Sequence, residues 1–212
     1  MRTVNINGFP FSYYTKTEIT EIEDNNMEQL HKDIYHFANH ISEILNIKCP
    51  DIGFSEQIIV PDSTGGISVQ GAEMYTPKDI SDLDNCLIVL SLQDFDFSRI
   101  VGTLAHEMRH IWQYNFNSEI NQFHAIGFSD SLIHPAEIDA DGFAIWYMSK
   151  FPDISFEQAA SLLCPLEESD YKDAFIARKN KAMELKKEFE NNSRKDSILS
   201  KFIKIMKGKA RQ

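Results

Sequence analysis

The segment running from His106 to His110, HEMRH, has the residue types and the spacing of a metal-binding helix. Residues four apart in a helix lie one turn above each other, so His106 and His110 can hold the same ion. The glutamate between them, Glu107, is then placed to act as general base toward water bound by that ion. The pattern predicts hydrolytic chemistry with two histidine ligands and one catalytic carboxylate.

A helical wheel drawn through this segment separates a metal-facing side from an apolar side. At ~100° per residue, His110 lies about 40° from His106, Gln113 lies at about −20°, and Glu107 lies on the flank at about 100°. The apolar residues gather between about 120° and 240°; they are Ile100, Val101, Leu104, Met108, Ile111 and Trp112. The wheel predicts a helix over 98–115 with a packed back and a chelating front.

A catalytic zinc site needs three protein ligands and one open position, so a third donor must come from elsewhere in the chain. A helix predicted over 135–149 carries Glu137 and Asp141 on one face, with Asp139 pointing away. We expect Glu137 to be the third ligand and Asp141 to accept a hydrogen bond from a ligand histidine. The reverse assignment of these two carboxylates stays open, as does His134 as a ligand or as a donor to the substrate oxyanion.

The elements around these two helices predict an α+β fold with a small antiparallel or mixed sheet of about three strands. Strand signals occupy 57–60, 67–75 and 86–92, and the last of these is the predicted central strand. Helical spacing recurs at 21–47, 156–164 and 167–190. We divide the chain into one domain, residues 1–177, and a basic helical tail, residues 178–212, that ends in an amphipathic segment.

The net charge of −11 is distributed unevenly along the 212 residues. Residues 178–212 hold 12 Lys and Arg against 4 Asp and Glu, whereas residues 1–177 hold 9 against 28. An acidic body repels nucleic acid, so any nucleic-acid binding would be confined to the tail. We expect the tail to contact the acidic body, a partner protein or an anionic surface such as a membrane, in preference to nucleic acid.

The three cysteines, Cys49, Cys86 and Cys164, lie far apart and in no CxxC spacing. This argues against a disulfide scaffold and favours a reducing compartment, which predicts a cytoplasmic location. The first residues contain no apolar signal segment, and the apolar run over 86–92 is well below the ~18 residues of a membrane span. We therefore expect no transmembrane segment.

Two motifs together, TLAHEMRHIWQ and EIDADGFA, resemble those of zinc metallopeptidases of the gluzincin class. The second motif is similar to that of small ImmA/IrrE-type peptidases of bacteria and their mobile elements, and the resemblance covers roughly residues 54–150. It implies a zincin-like fold and endopeptidase activity on an intracellular protein. It also implies a Zn²⁺ cofactor bound by His106, His110 and Glu137, with Glu107 as the base.

The sequence leaves the donor to the substrate oxyanion undetermined. His134 and Tyr147 are the candidates, with Tyr75 and Arg109 also open. We expect a substrate peptide to pair with an exposed sheet edge, for which residues 66–75 are the candidate strand.

Two other functions stay open. A protease of the SprT-like kind, acting on DNA-associated proteins, would need a histidine as third ligand, and only His124 or His134 is available. A catalytically inactive zincin-fold binding module would show a lost Glu107 or an incomplete ligand set. A second histidine pair with helical spacing, His36 and His40, lacks a glutamate between its members and is predicted to be solvated surface.

Overall fold

The computed structural model describes residues 2–6, 9–13, 26–55, 58–61, 67–92, 96–117, 134–163 and 172–191. These residues form an α+β fold. The helices are α1 (Asn26–Leu45), α2 (Phe97–Phe116), α3 (Pro135–Met148), α4 (Phe156–Leu163) and α5 (Lys172–Asn191). The strands are β1 (Arg2–Ile6), β2 (Phe9–Tyr13), β3 (Asp51–Ser55), β4 (Ile58–Pro61), β5 (Ile67–Gln70), β6 (Ala72–Tyr75) and β7 (Leu87–Ser91).

The helices begin and end at residues whose chemistry suits those positions. Asp96 precedes α2 and accepts a hydrogen bond from the backbone N–H of Ser98 at 2.9 Å, which satisfies one of the first free donors of the helix. His134 does the same for α3, and Pro135 follows it at the first helical position. The predicted bounds 98–115 and 135–149 therefore agree with the structure to within one residue at each end.

A three-stranded mixed sheet lies at the centre of the fold, in the order β3, β7, β6. The sequence correctly predicts β7 as the central strand, and all five of its residues are buried. β3 is parallel to β7 and β6 is antiparallel to it. The sequence predicted that the strand over 57–60 belongs to the central sheet, and this is wrong. Among the described strands, β4 pairs only with β5, in a separate antiparallel pair.

The main core lies between one face of this sheet and the helices. Ile52, Ile88 and Leu90 on the sheet belong to the same buried cluster as Leu104 and Met108 on α2. The apolar back of α2 is therefore packed, as the helical wheel predicts. α3 is buried over nearly its whole length, which makes it the most enclosed helix of the described fold.

Helix α5 packs along α3 and therefore belongs to the folded body. Phe189 stacks on Trp146 with ring centroids 4.6 Å apart, and Ala182 and Leu185 are buried in the main core. The predicted division at residue 178 falls inside this helix, and the amphipathic segment predicted beyond it lies outside the described residues. No helix in the described part of the chain is both long enough and apolar enough to cross a bilayer.

Candidate metal centre

The two histidines of the HEMRH segment face each other across one turn of α2. The Nε2 atom of His110 lies 2.9 Å from the Nε2 atom of His106, and the ring centroids are 4.6 Å apart. His110 is buried, while His106 retains some exposure. Both imidazoles therefore present the same nitrogen to one point at the edge of the core.

Glu137 brings a carboxylate to this point from the first turn of α3. Its oxygens lie 3.3 Å from Nε2 of His106 and 3.4 Å from Nε2 of His110. The cap at His134 sets the start of α3, and Glu137 follows it three residues later. Among the described residues, His106, His110 and Glu137 are the group whose donor atoms could share a metal ion. Asp141, the alternative ligand, contacts Nδ1 of His106 and not the Nε2 atom that faces Glu137.

The opposite nitrogen of each imidazole is held by an acceptor. Nδ1 of His106 lies 2.7 Å from Oδ1 of Asp141, and a carboxylate can only accept, so this nitrogen carries the proton. Nδ1 of His110 lies 2.8 Å from Oε1 of Gln113. When both rings are neutral, both Nε2 atoms are bare lone pairs that point at each other and at Glu137. Three bases this close require a cation or additional protons between them.

Gln113 contacts the candidate site, although the sequence assigned it no role. Its Nε2 atom lies 2.9 Å from the backbone oxygen of Ala136 and 2.9 Å from Oδ2 of Asp139, so it donates to both. The side-chain oxygen must then accept from His110. Its position on the chelating front of the helical wheel, three residues after His110, was the available signal.

Arg109 supports this arrangement from behind. Its Nε and Nη2 atoms donate to the two oxygens of Asp139 at 2.7 and 3.1 Å, and its guanidinium lies 3.8 Å from the ring of Trp112. The pair is buried on both sides. Arg109 is therefore committed to Asp139 and is not available as an oxyanion donor. Asp139 points away from the ligand face, as predicted, and holds Gln113 there.

The donor atoms fit a small tetrahedral ion. Zn²⁺ binds His nitrogen and carboxylate oxygen at ~2.0–2.2 Å, which places two donors of a tetrahedron about 3.3–3.6 Å apart. The two His–Glu separations, 3.3 and 3.4 Å, lie in this range. The 2.9 Å between the imidazole nitrogens is shorter, so the two rings must open slightly around an ion.

The electrostatics of the site favour a positive charge. Burial lowers the pKa of His106, but the carboxylates of Asp141 and Glu137 outweigh it and hold this pKa well above its ordinary value of 6.5. Burial acts in the opposite sense on Glu137, yet hydrogen bonding to both imidazoles and their charge keep its pKa below the usual range. A site that takes up protons in this way is also one in which a metal ion can replace them.

Glu107 lies on the flank of α2, as the wheel predicts, and its side chain remains partly exposed. It makes no hydrogen bond or ion pair to another described residue. Burial raises its pKa above the ordinary value, and the charges of His106 and His110 oppose this shift only in part. A carboxylate with a raised pKa and no fixed partner suits proton transfer.

The two candidate oxyanion donors lie in different surroundings. His134 uses Nδ1 to accept the N–H of Ala136 at 3.1 Å, so its other ring nitrogen carries a proton. Tyr147 is fully buried in the core, and its hydroxyl lies 3.0 Å from Nδ1 of His40. His40 is itself buried, so the prediction of a solvated surface is wrong for His40, while His36 is exposed.

Tyr75, another open oxyanion candidate, donates its hydroxyl to Glu73 at 2.6 Å on β6. β6 lies at the edge of the three-stranded sheet among the described strands, so the candidate edge over 66–75 is confirmed for 72–75. The prediction of one strand is wrong for 67–70, which forms β5 and pairs with β4 in a separate sheet. His124, the alternative third ligand, lies outside the described residues.

Comparison with known proteins yields no relative for this chain. No protein-family model, no curated protein and no solved structure matches it.

Proposed function

We propose that the chain is a zinc-dependent endopeptidase with a zincin-like fold, which hydrolyses peptide bonds of a protein substrate. His106, His110 and Glu137 bind the metal ion, and Glu107 is the general base. The main support is the convergence of two imidazole nitrogens and one carboxylate within 2.9 to 3.4 Å of one another on a partly exposed face. The resemblance of the two motifs to gluzincins supports the same assignment.

Two nitrogens and one oxygen form a ligand set that suits zinc, and three protein donors leave a position open. A bound zinc ion would supply a Lewis acid and would lower the pKa of a water at that open position. The protein's own contribution is to hold each donor with its lone pair free. Asp141 and Gln113 do this by keeping the ring protons of both histidines on Nδ1.

Glu107 carries out the proton transfers in this proposal. Its carboxylate accepts the proton of the attacking water and then passes it to the leaving amine. Burial raises the pKa of Glu107, which favours the protonated form that this step requires. Its partial exposure gives the substrate access to the same face of α2.

The substrate peptide is proposed to pair with β6, since this strand lies at the sheet edge and Gly71, which precedes it, lies beside α2. A Cβ built on Gly71 would lie 3.6 Å from the side chain of Thr103, one turn before His106. A peptide added to this edge would therefore run past the start of the metal-binding turn. A cytoplasmic location belongs to the same proposal and rests on the spacing of the cysteines.

The test is to measure zinc content and peptidase activity for the wild type and for Glu107→Gln. The probe is a library of proteome-derived peptides, with cleavage read by mass spectrometry. The variant is expected to keep its zinc and to lose at least about 100-fold in cleavage rate, because the amide cannot accept the proton. Glu188→Gln, an exposed change on α5, is the matched control and should cleave as the wild type does.

Retention of full cleavage by Glu107→Gln would contradict the general-base role. A wild-type chain that binds no zinc would contradict the ligand assignment. Cleavage that continues in the presence of a strong chelator, with no metal remaining, would contradict the metal-dependent mechanism itself.

A further inference from the structure

Helix α5 places two cationic side chains against the carboxylates that support the metal-binding histidines. The Nε atom of Arg178 donates to Oδ2 of Asp141, and the other oxygen of Asp141 holds His106. Three residues later, Nζ of Lys181 lies 3.5 Å from Oδ1 of Asp139. One face of α5 thus contacts both outer carboxylates of the site.

This contact depends on a close approach of α5 to α3 at Gly142. A Cβ built on Gly142 would lie 2.7 Å from Cγ of Lys181 and 3.2 Å from the backbone nitrogen of Ala182. Only a residue without a side chain leaves room for the helices at this distance. Gly142 directly follows Asp141, so this close approach lies next to the residue that Arg178 contacts.

Arg178 is held in place on both sides. Its side chain is 4% exposed, and its Nη1 atom donates to the backbone oxygen of Ala174 at 3.3 Å. The arginine therefore presents Nε to Asp141 in one orientation. With Oδ2 bound in this way, the carboxylate cannot rotate away from Nδ1 of His106.

We propose that Arg178 is a positioning residue of the metal centre, which acts through Asp141 to hold the imidazole of His106 in its metal-binding orientation. Helix α5 is then a required part of the site, although the sequence places Arg178 at the start of a tail. This inference rests on the proposed metal site, and it adds a residue that does not touch the metal.

Two effects of removing Arg178 have opposite signs. By charge alone, removing a cation near a metal site strengthens the binding of another cation. If Arg178 acts by positioning, its removal releases Asp141 and His106. Loss of a group that orients a metal ligand lowers metal affinity by about 10–100-fold. The direction of the change therefore distinguishes the positioning role from a general electrostatic one.

The experiment measures zinc affinity by competition with a chromophoric chelator. The full-length chains compared are the wild type, Arg178→Met, Arg178→Lys, Asp141→Asn and the double variant Arg178→Met/Asp141→Asn. The matched control is Lys179→Gln, because Lys179 is the next residue on the same helix and pairs with Glu157 rather than with the site. Circular dichroism of each metal-free chain establishes that it is folded at the temperature used.

Arg178→Met is expected to bind zinc about 10–100-fold more weakly, and Arg178→Lys to recover part of this loss. In the Asp141→Asn background, removal of Arg178 should cause no further loss, because its effect passes through Asp141. Lys179→Gln should bind as the wild type does. If Arg178→Met does not fold, the comparison of Arg178→Lys with the wild type and with Asp141→Asn provides the same test.

Zinc binding by Arg178→Met as tight as, or tighter than, that of the wild type would overturn this inference and leave the proposed function intact. The inference would also be overturned if Arg178→Met lowered zinc affinity by the same factor in the wild type and in the Asp141→Asn background. A wild type that binds no zinc would overturn both this inference and the proposed function.

Discussion

Gln113→Met replaces the amide that orients His110 with an apolar side chain of similar length. Gln113 is fully buried and makes three contacts, to His110 at 2.8 Å and to Ala136 and Asp139 at 2.9 Å each. Methionine fills the space but can make none of them. The Nδ1–H of His110 then loses Gln113 as its acceptor, so its proton can move to Nε2, the atom proposed to bind the metal.

The structure sets the size of both effects. Three buried hydrogen bonds at a net value of about 1 kcal/mol each give a loss of about 3 kcal/mol in the free energy of unfolding of the metal-free chain. Loss of the group that orients a ligand histidine lowers metal affinity by about 10–100-fold, or about 1.4–2.7 kcal/mol. Both values refer to measurements made without substrate.

Urea denaturation of the metal-free chain measures the first effect, and chelator competition measures the second. Nitrogen-15 NMR of the imidazole rings reports directly which nitrogen of His110 carries the proton. Gln158→Met is the matched control, because Gln158 is exposed and accepts a hydrogen bond from Ser155 far along the chain from the site. Zinc affinity of Gln113→Met equal to that of the wild type would refute the reasoning about the orientation of His110.

Three further changes test other parts of the structure. Arg109→Met should lower the free energy of unfolding by about 1.5–3 kcal/mol in urea, because it removes the buried guanidinium that donates two hydrogen bonds to Asp139 and leaves this carboxylate with Gln113 and Lys181; a loss below about 0.5 kcal/mol would contradict this. Gly142→Ala should cost about 1–3 kcal/mol in thermal unfolding because its Cβ meets Lys181 at 2.7 Å, and an unchanged Tm would count against the close approach. Because the pKa of His106 is raised, this residue contributes stability to the metal-free fold that is fully present below its ordinary pKa of 6.5 and is lost as pH rises through the raised pKa. Zinc affinity measured from pH 6 to pH 8 should therefore increase, and a flat profile would contradict proton competition at the site.

Helix α2 could be predicted well because its signals are local. The spacing of His106 and His110 and the apolar stripe behind them are both properties of a single helix, and the structure has the same front and back. The signals that mark the start of α3 were equally local, since Pro135 and the residue before it form its cap. From these two helices, the face shared by Glu137 and Asp141 follows directly.

What the sequence did not predict depends on contacts between distant segments. Arg178 reaches Asp141 across 37 positions, and nothing in its neighbourhood distinguishes it from the other basic residues of α5. β3 was missed because Asp51 and Gly53 interrupt its apolar pattern, while its pairing with β7 is parallel and non-local. His40 looked like a surface residue because its partner, Tyr147, lies 107 positions away.

A crystal structure of the zinc-loaded chain, with anomalous scattering recorded at the zinc absorption edge, tests the central claim most directly. We expect one anomalous peak within bonding distance, ~2.0–2.2 Å, of Nε2 of His106, Nε2 of His110 and a carboxylate oxygen of Glu137. Asp141 should remain on Nδ1 of His106, with Arg178 behind it. A zinc peak bound elsewhere, or a site where Glu137 has moved away from both rings, would contradict the account.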